Sequence, residues 1–193
     1  MMKMIGYLVC ILMMASPILA QVGKLGRCPE VKAVPNFNPE KFTGPWYVIS
    51  HNKNALYEPG HKCSRWNYIK TGDGIGKLKF NALLANSGAK VDWEGKATPI
   101  GEAPSANFDI VFPKPSLGMK TNFTILTTDY DHYAVQWACQ NYGDASLQYV
   151  WILSRTPVRH PLFGNQAERF VERYVDIPKP EIVDVDQQQC PQF

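Results

Sequence analysis

Three short segments, set among strand-like runs, constrain this fold more than any other feature. They are Phe42-Thr43-Gly44-Pro45-Trp46-Tyr47, Thr128-Asp129-Tyr130 and Leu153-Ser154-Arg155. The runs between them lack a helical period and are bounded by turn residues. Thr71-Gly72-Asp73-Gly74 reads as a tight hairpin, and Asn86-Ser87-Gly88 and Asn141-Tyr142-Gly143-Asp144 turn the chain again. Phe108-Asp109-Ile110-Val111-Phe112 alternates by two, as a half-buried strand does. Eight such runs follow one another by short links, which predicts an all-β, eight-stranded, antiparallel up-and-down barrel over about 42–156. A closed sheet brings its first and last strands together, so Trp46 can stack under Arg155. It also has an inside, which can hold a ligand.

After Pro161 the period changes. Phe163, Ala167, Phe170, Val171 and Tyr174 recur at helical spacing, with Glu168, Arg169, Glu172 and Arg173 on the other face. This predicts one C-terminal α-helix over about 162–175, packed outside the barrel. Tyr133, Val135 and Trp137 alternate with Ala134, Gln136 and Ala138, and supply the apolar seat. Residues 177–193 read as an extended tail pinned by Cys190, and residues 21–39 as an irregular strap interrupted by prolines.

Residues 1–20 read as a removable secretory signal: Lys3, an apolar run from Ile5 to Met14, Ser16-Pro17, then Ala20. Residues 21–193 are then one domain, secreted and extracellular, and no other run is long and apolar enough to cross a bilayer. The formal net charge of +3 is small and scattered, so no nucleic-acid partner is expected. Cys10 leaves with the signal. Cys28, Cys63, Cys139 and Cys190 remain, an even set that reads as two disulfides with three connectivities open. None lies in a Cys-x-x-Cys or His/Cys cluster, so no metal site is expected. Asn122-Phe123-Thr124 is a glycosylation sequon.

Together these residues resemble the lipocalins. Gly44-Pro45-Trp46, Thr128-Asp129-Tyr130 and Arg155 look like the family's three signature segments, in order. Cys28-Pro29-Glu30-Val31-Lys32, Asn36-Phe37, Tyr133-Ala134, Val150-Trp151-Ile152-Leu153-Ser154-Arg155 and Cys190 resemble the subgroup of insect bilin-binding proteins and apolipoprotein D. The resemblance implies a calyx closed at one end, with Cys28 paired to Cys139 and Cys63 to Cys190. Gly44, Trp46, Thr128, Asp129, Tyr130 and Arg155 take structural roles at the closed end.

Strand parity and the resemblance together nominate a ligand site. If Arg155 points inward, so do Tyr149 and Trp151. The resemblance marks Trp151, Tyr68 and Asn81 as pocket positions. Trp66 shares the parity of Tyr68, and Leu83 that of Asn81. Trp93, Phe123 and Ile125 complete the set. One conflict is visible: the period of Lys77 to Asn81 buries Leu78 and Phe80, whereas the resemblance favours Asn81; a bulge would reconcile them. The four histidines are not spaced as metal ligands and read as surface or loop residues, with His61 at the rim.

Aromatic walls with a few polar tips suit a flat, conjugated ligand. The expected function is a secreted carrier of a small hydrophobic molecule, held without a covalent bond: a bilin pigment such as biliverdin. An apolipoprotein D-like carrier of lipid, steroid, retinoid or fatty acid is the alternative. A protein-binding or defensive module acting through the loops at 55–62 and 113–120 is a third reading. A second copy of the chain or a receptor stays open as a partner. Catalysis is not expected, because Ser64, Ser105 and Ser154 lack a nucleophile context and no phosphate loop occurs.

Overall fold

Short β-forming runs joined by glycine turns build the wall of the molecule. The computed structural model describes residues 24–193 other than 54, 56–59, 103 and 115–117. The predicted signal lies outside the described residues, as do parts of the loops after the first and fifth barrel strands. A two-residue strand, β1 (Lys24–Leu25), and a single helical turn, α1 (Pro39–Phe42), precede the barrel. Its strands are β2 (Gly44–Asn52), β3 (His61–Thr71), β4 (Gly74–Leu84), β5 (Lys90–Pro99), β6 (Asn107–Phe112), β7 (Met119–Thr128), β8 (Tyr133–Tyr142) and β9 (Ala145–Ser154). Helix α2 (Pro161–Tyr174), a 3-10 turn at Lys179–Glu181 and β10 (Ile182–Asp184) complete the chain.

Each barrel strand pairs antiparallel with the next, and β9 returns to pair with β2. The eight-stranded up-and-down barrel read from the sequence is therefore the fold. β1 and β10 add to the outer edges of β9 and β2.

The barrel is not perfectly regular. β2 carries an extra residue between Val48 and Ser50, and β3 one between Lys62 and Arg65. A bulge leaves backbone groups unpaired. The C-terminal tail supplies the missing partners. Val185 donates its N–H to the Ile49 carbonyl at 2.9 Å, and Cys63 donates its own to the Asp186 carbonyl at 2.8 Å. Gln187 Nε2 donates to the carbonyls of Val48 and Ser64, each at 2.9 Å. Disulfides Cys28–Cys139 and Cys63–Cys190 fasten the strap and the tail to the wall.

The apolar side chains form two layers. One fills the barrel. The other lies between α2 and the outer faces of β8 and β9, where Val135, Trp137, Val150 and Ile152 meet Ala167 and Val171. The expected helix seat is thus in place. Two expectations about α2 are corrected. Glu168, placed on the solvent face from its spacing, is buried, because Arg159 and Lys179 close over it at 2.6 and 3.1 Å. Tyr174 packs at a tilt against Phe170 in the last turn and stays exposed rather than reaching the wall.

Candidate functional site

The closed end is built from the three signature segments. Gly44 has φ of +94°, a conformation open to glycine at little cost. The Arg155 guanidinium lies 3.8 Å over the Trp46 ring. It donates to the backbone carbonyls of Tyr130, Thr43, Pro45 and Lys41 at 2.6–3.0 Å. The Asp129 carboxylate accepts from the N–H groups of Asp131, His132 and Tyr133 at 3.2, 2.8 and 3.0 Å. Partial burial pushes that carboxyl up, but the N–H groups of Tyr133 and His132 and the His132 side chain together hold it below the usual range. The Tyr130 hydroxyl accepts from the Asn38 N–H at 3.0 Å, which ties the turn to the strap. Phe42 of α1 packs on Trp46 and Tyr68 and plugs this end.

Above the plug the inward faces of the strands converge. Trp66, Tyr68, Phe123, Ile125, Tyr149 and Trp151 all belong to one buried interior cluster, and Trp93 packs against it, half-buried. Seven of the nine nominated side chains are therefore together. Their rings touch: Trp66 lies 4.6 Å from Phe80 and 5.5 Å from Phe123, Phe123 5.4 Å from Trp151, and Phe80 4.8 Å from Trp93. The chain's own rings occupy the middle of the barrel, since Trp66, Phe80, Phe123 and Trp151 each expose 0% of their surface. Val91, Trp93, Met119 and Leu147 are only partly buried against the same cluster.

Asn81 and Leu83 are not in that set. From Lys77 to Leu83 β4 pairs with β5 without a register shift, its one extra residue against β3 lying earlier at Gly76, so Leu78, Phe80 and Ala82 face in. Asn81 faces out, paired with Arg65 and Asp92, and donates from Nδ2 to the Asp92 carboxylate. Leu83 is paired with Lys62 and Lys90 on the same outer face. The period of the run was the sounder guide here.

Two interior residues escaped sequence reasoning. The bulge in β2 shifts its parity, so His51 pairs with Trp151 on the inner side and is buried rather than in a loop. Burial pulls the His51 pKa down and the nearby charge of His61 adds to this, against the opposing bond from Nδ1 to the Asn52 carbonyl at 2.8 Å. His61 packs on Phe80 and Trp93. Gln136 is the second, fully buried, its Oε1 accepting from the Tyr68 hydroxyl. Its signal was present: it lies on the face of β8 opposite the helix seat. Burial also raises the Tyr68 pKa, so the phenol stays protonated and donates.

Asn122 stands on the outer side of β7, opposite Asp109. Among the described residues no three His, Cys, Asp or Glu side chains gather as metal ligands would, and no helix is long and apolar enough to cross a membrane.

This geometry has close parallels. A family model described as a lipocalin-like domain matches residues 37–176. The chain is 31% identical over 170 residues to apolipoprotein D of Rattus norvegicus, spanning 88% of this chain and 87% of that protein. It is 28% identical over 174 residues to bilin-binding protein of Pieris brassicae, spanning 88% and 86%. Among solved structures, insecticyanin of the tobacco hornworm Manduca sexta superposes with a TM-score of 0.73 at 22% identity, over 87% of this chain and 90% of that one. Lobster apocrustacyanin A1 does so with 0.71 at 21%, over 89% and 94%.

Proposed function

The chain belongs to the lipocalins, carriers of small hydrophobic molecules, and from that premise we propose that it is a secreted pigment carrier that holds a bilin such as biliverdin inside its barrel, without a covalent bond. The observation that carries this reading is the chain of touching aromatic side chains on the inner wall, Trp66, Phe80, Trp93, Phe123 and Trp151, stacked between Phe80 and Trp93 and tilted or edge-on elsewhere. Such walls bind flat conjugated molecules through broad apolar contact. The similarity to a bilin-binding protein supports the choice of pigment. Two disulfides and the apolar leader support export, as does the sequon at Asn122 on the outer side of β7.

The test is reconstitution with biliverdin. The expected result is one pigment per chain, with a shifted visible band and induced circular dichroism. Trp151→Ala removes a ring that touches Phe123 and is expected to weaken binding at least about tenfold while the barrel still folds. Unchanged affinity would take Trp151 out of the site.

A second reading has its own support. The rings already meet across the barrel, which favours a slender guest over a broad tetrapyrrole. On that reading the chain carries a retinoid, a steroid or a fatty acid, as suits its similarity to apolipoprotein D. Tryptophan quenching by a polyene, with no response to biliverdin, would select it.

A further inference from the structure

Two hydrogen-bond donors inside the barrel have no partner among the described residues: Trp66 Nε1 and Gln136 Nε2. Both residues are fully buried. Native interiors seldom leave such groups unpaired. Their positions are related. Tyr68 stands two residues beyond Trp66, on the same inner face of β3, about 7 Å along the strand. Its hydroxyl crosses the barrel to the Gln136 side chain on β8. This bond is a polar bar across the interior, joining strands that are not neighbours in the sheet. Below it lie Phe42 and Trp46 of the plug.

We infer that this bar is a seat for the deep end of the ligand, and that this end bears a neutral carbonyl oxygen, as in a ketone, ester or lactam. The inference rests on the carrier reading above. Both orphan groups are N–H donors, so the complementary atom is an acceptor. A carboxylate would also accept, but an unpaired charge at this depth is costly, and no lysine or arginine is buried among the described residues. A hydrocarbon end would leave both donors stranded. Trp66 packs on Phe80, Phe112 and Phe123. A guest that reaches the bar exchanges those ring contacts for its own apolar body, and gains the two bonds the free protein lacks. The acceptor thereby sets which end enters first.

Three probes sharing one polyene skeleton test this by tryptophan quenching at neutral pH: methyl retinoate, retinoic acid and the hydrocarbon axerophthene. The expected order has the ester about tenfold tighter than the hydrocarbon after correction for partition, with the carboxylate weaker than the ester. In Gln136→Leu, of similar size without the amide, the ester-to-hydrocarbon ratio is expected to fall towards that of simple partition. Trp66→Phe keeps an aromatic ring, removes the other donor, and should lower the ratio in the same way if Gln136→Leu folds poorly. Equal binding of ester and hydrocarbon by the unmodified protein, an unchanged ratio in both variants, or a carboxylate that binds as well as the ester would each overturn the carbonyl seat and leave the carrier standing. Binding of none of the three, and of no bilin, would overturn the carrier reading and the seat with it.

Discussion

Arg155 shows how one side chain can gather three parts of a chain. Its planar fork reaches four carbonyls, from α1 and the residue that ends it, from β2 and from the Tyr130 turn, while its face rests on Trp46. Lysine has one compact donor centre and no flat face to stack. Arg155→Lys is therefore expected to lower stability by about 2 kcal/mol, read from urea unfolding. His51 makes a pH-dependent contribution. Its folded pKa lies below the ordinary histidine value, so the unfolded chain takes up the proton first as pH falls. Stability contributed here is full above about pH 7 and is lost as pH drops through about 6.5 towards the folded value. In the variant His51→Gln, thermal melting between pH 7.5 and 5 is expected to depend less on pH. An equal slope would remove His51 as the source.

Among the elements, α2 is held by more than its apolar stripe. Ala167 and Val171 pack on the wall, yet the buried Glu168 joins the helix to the loop after β9 through Arg159 and to the tail through Lys179. Arg159 reaches on to Asp184 of β10 at 3.2 Å. Glu168 is the buried member and Lys179 stays largely in solvent, so removing the carboxylate chiefly strands the partly covered Arg159. Glu168→Ala is expected to cost about 2–3 kcal/mol, and amide exchange should rise in both α2 and β10, because one carboxylate serves both. Exchange confined to α2 would show that the tail docks independently. The β2 bulge is an element-scale feature of the same kind. One extra residue moves His51 from the outside to the inside, and the tail then bonds the carbonyls that the bulge frees.

For the molecule as a whole, the disulfides matter because strap and tail have little structure of their own. Cys28–Cys139 and Cys63–Cys190 close chain separations of 111 and 127 residues. Closing loops of that length contributes about 4–5 kcal/mol each by chain entropy. The double variant Cys63→Ser, Cys190→Ser should lose about that much, and the loss should be accompanied by exchange in β2 and β3, whose bulges the tail covers. Much of this was legible in advance. The turns, alternating runs and signature segments gave the barrel and its closed end. The resemblance to a known subgroup gave the disulfide pairing, and parity brought most of the inner wall together. Asn81 and Leu83 were misplaced because a transferred role outweighed a plain alternation. His51 was missed because nothing local marks a bulge.

The amino-acid order alone determined which residues alternate and where the chain turns, since these depend on near neighbours and on glycine, proline and aromatic positions. Only the folded chain decided that His51 faces inward, that Glu168 is covered, and that Tyr68 meets Gln136 across the barrel. Each of those depends on register between strands far apart in sequence, and a shift of one residue there exchanges inside for outside.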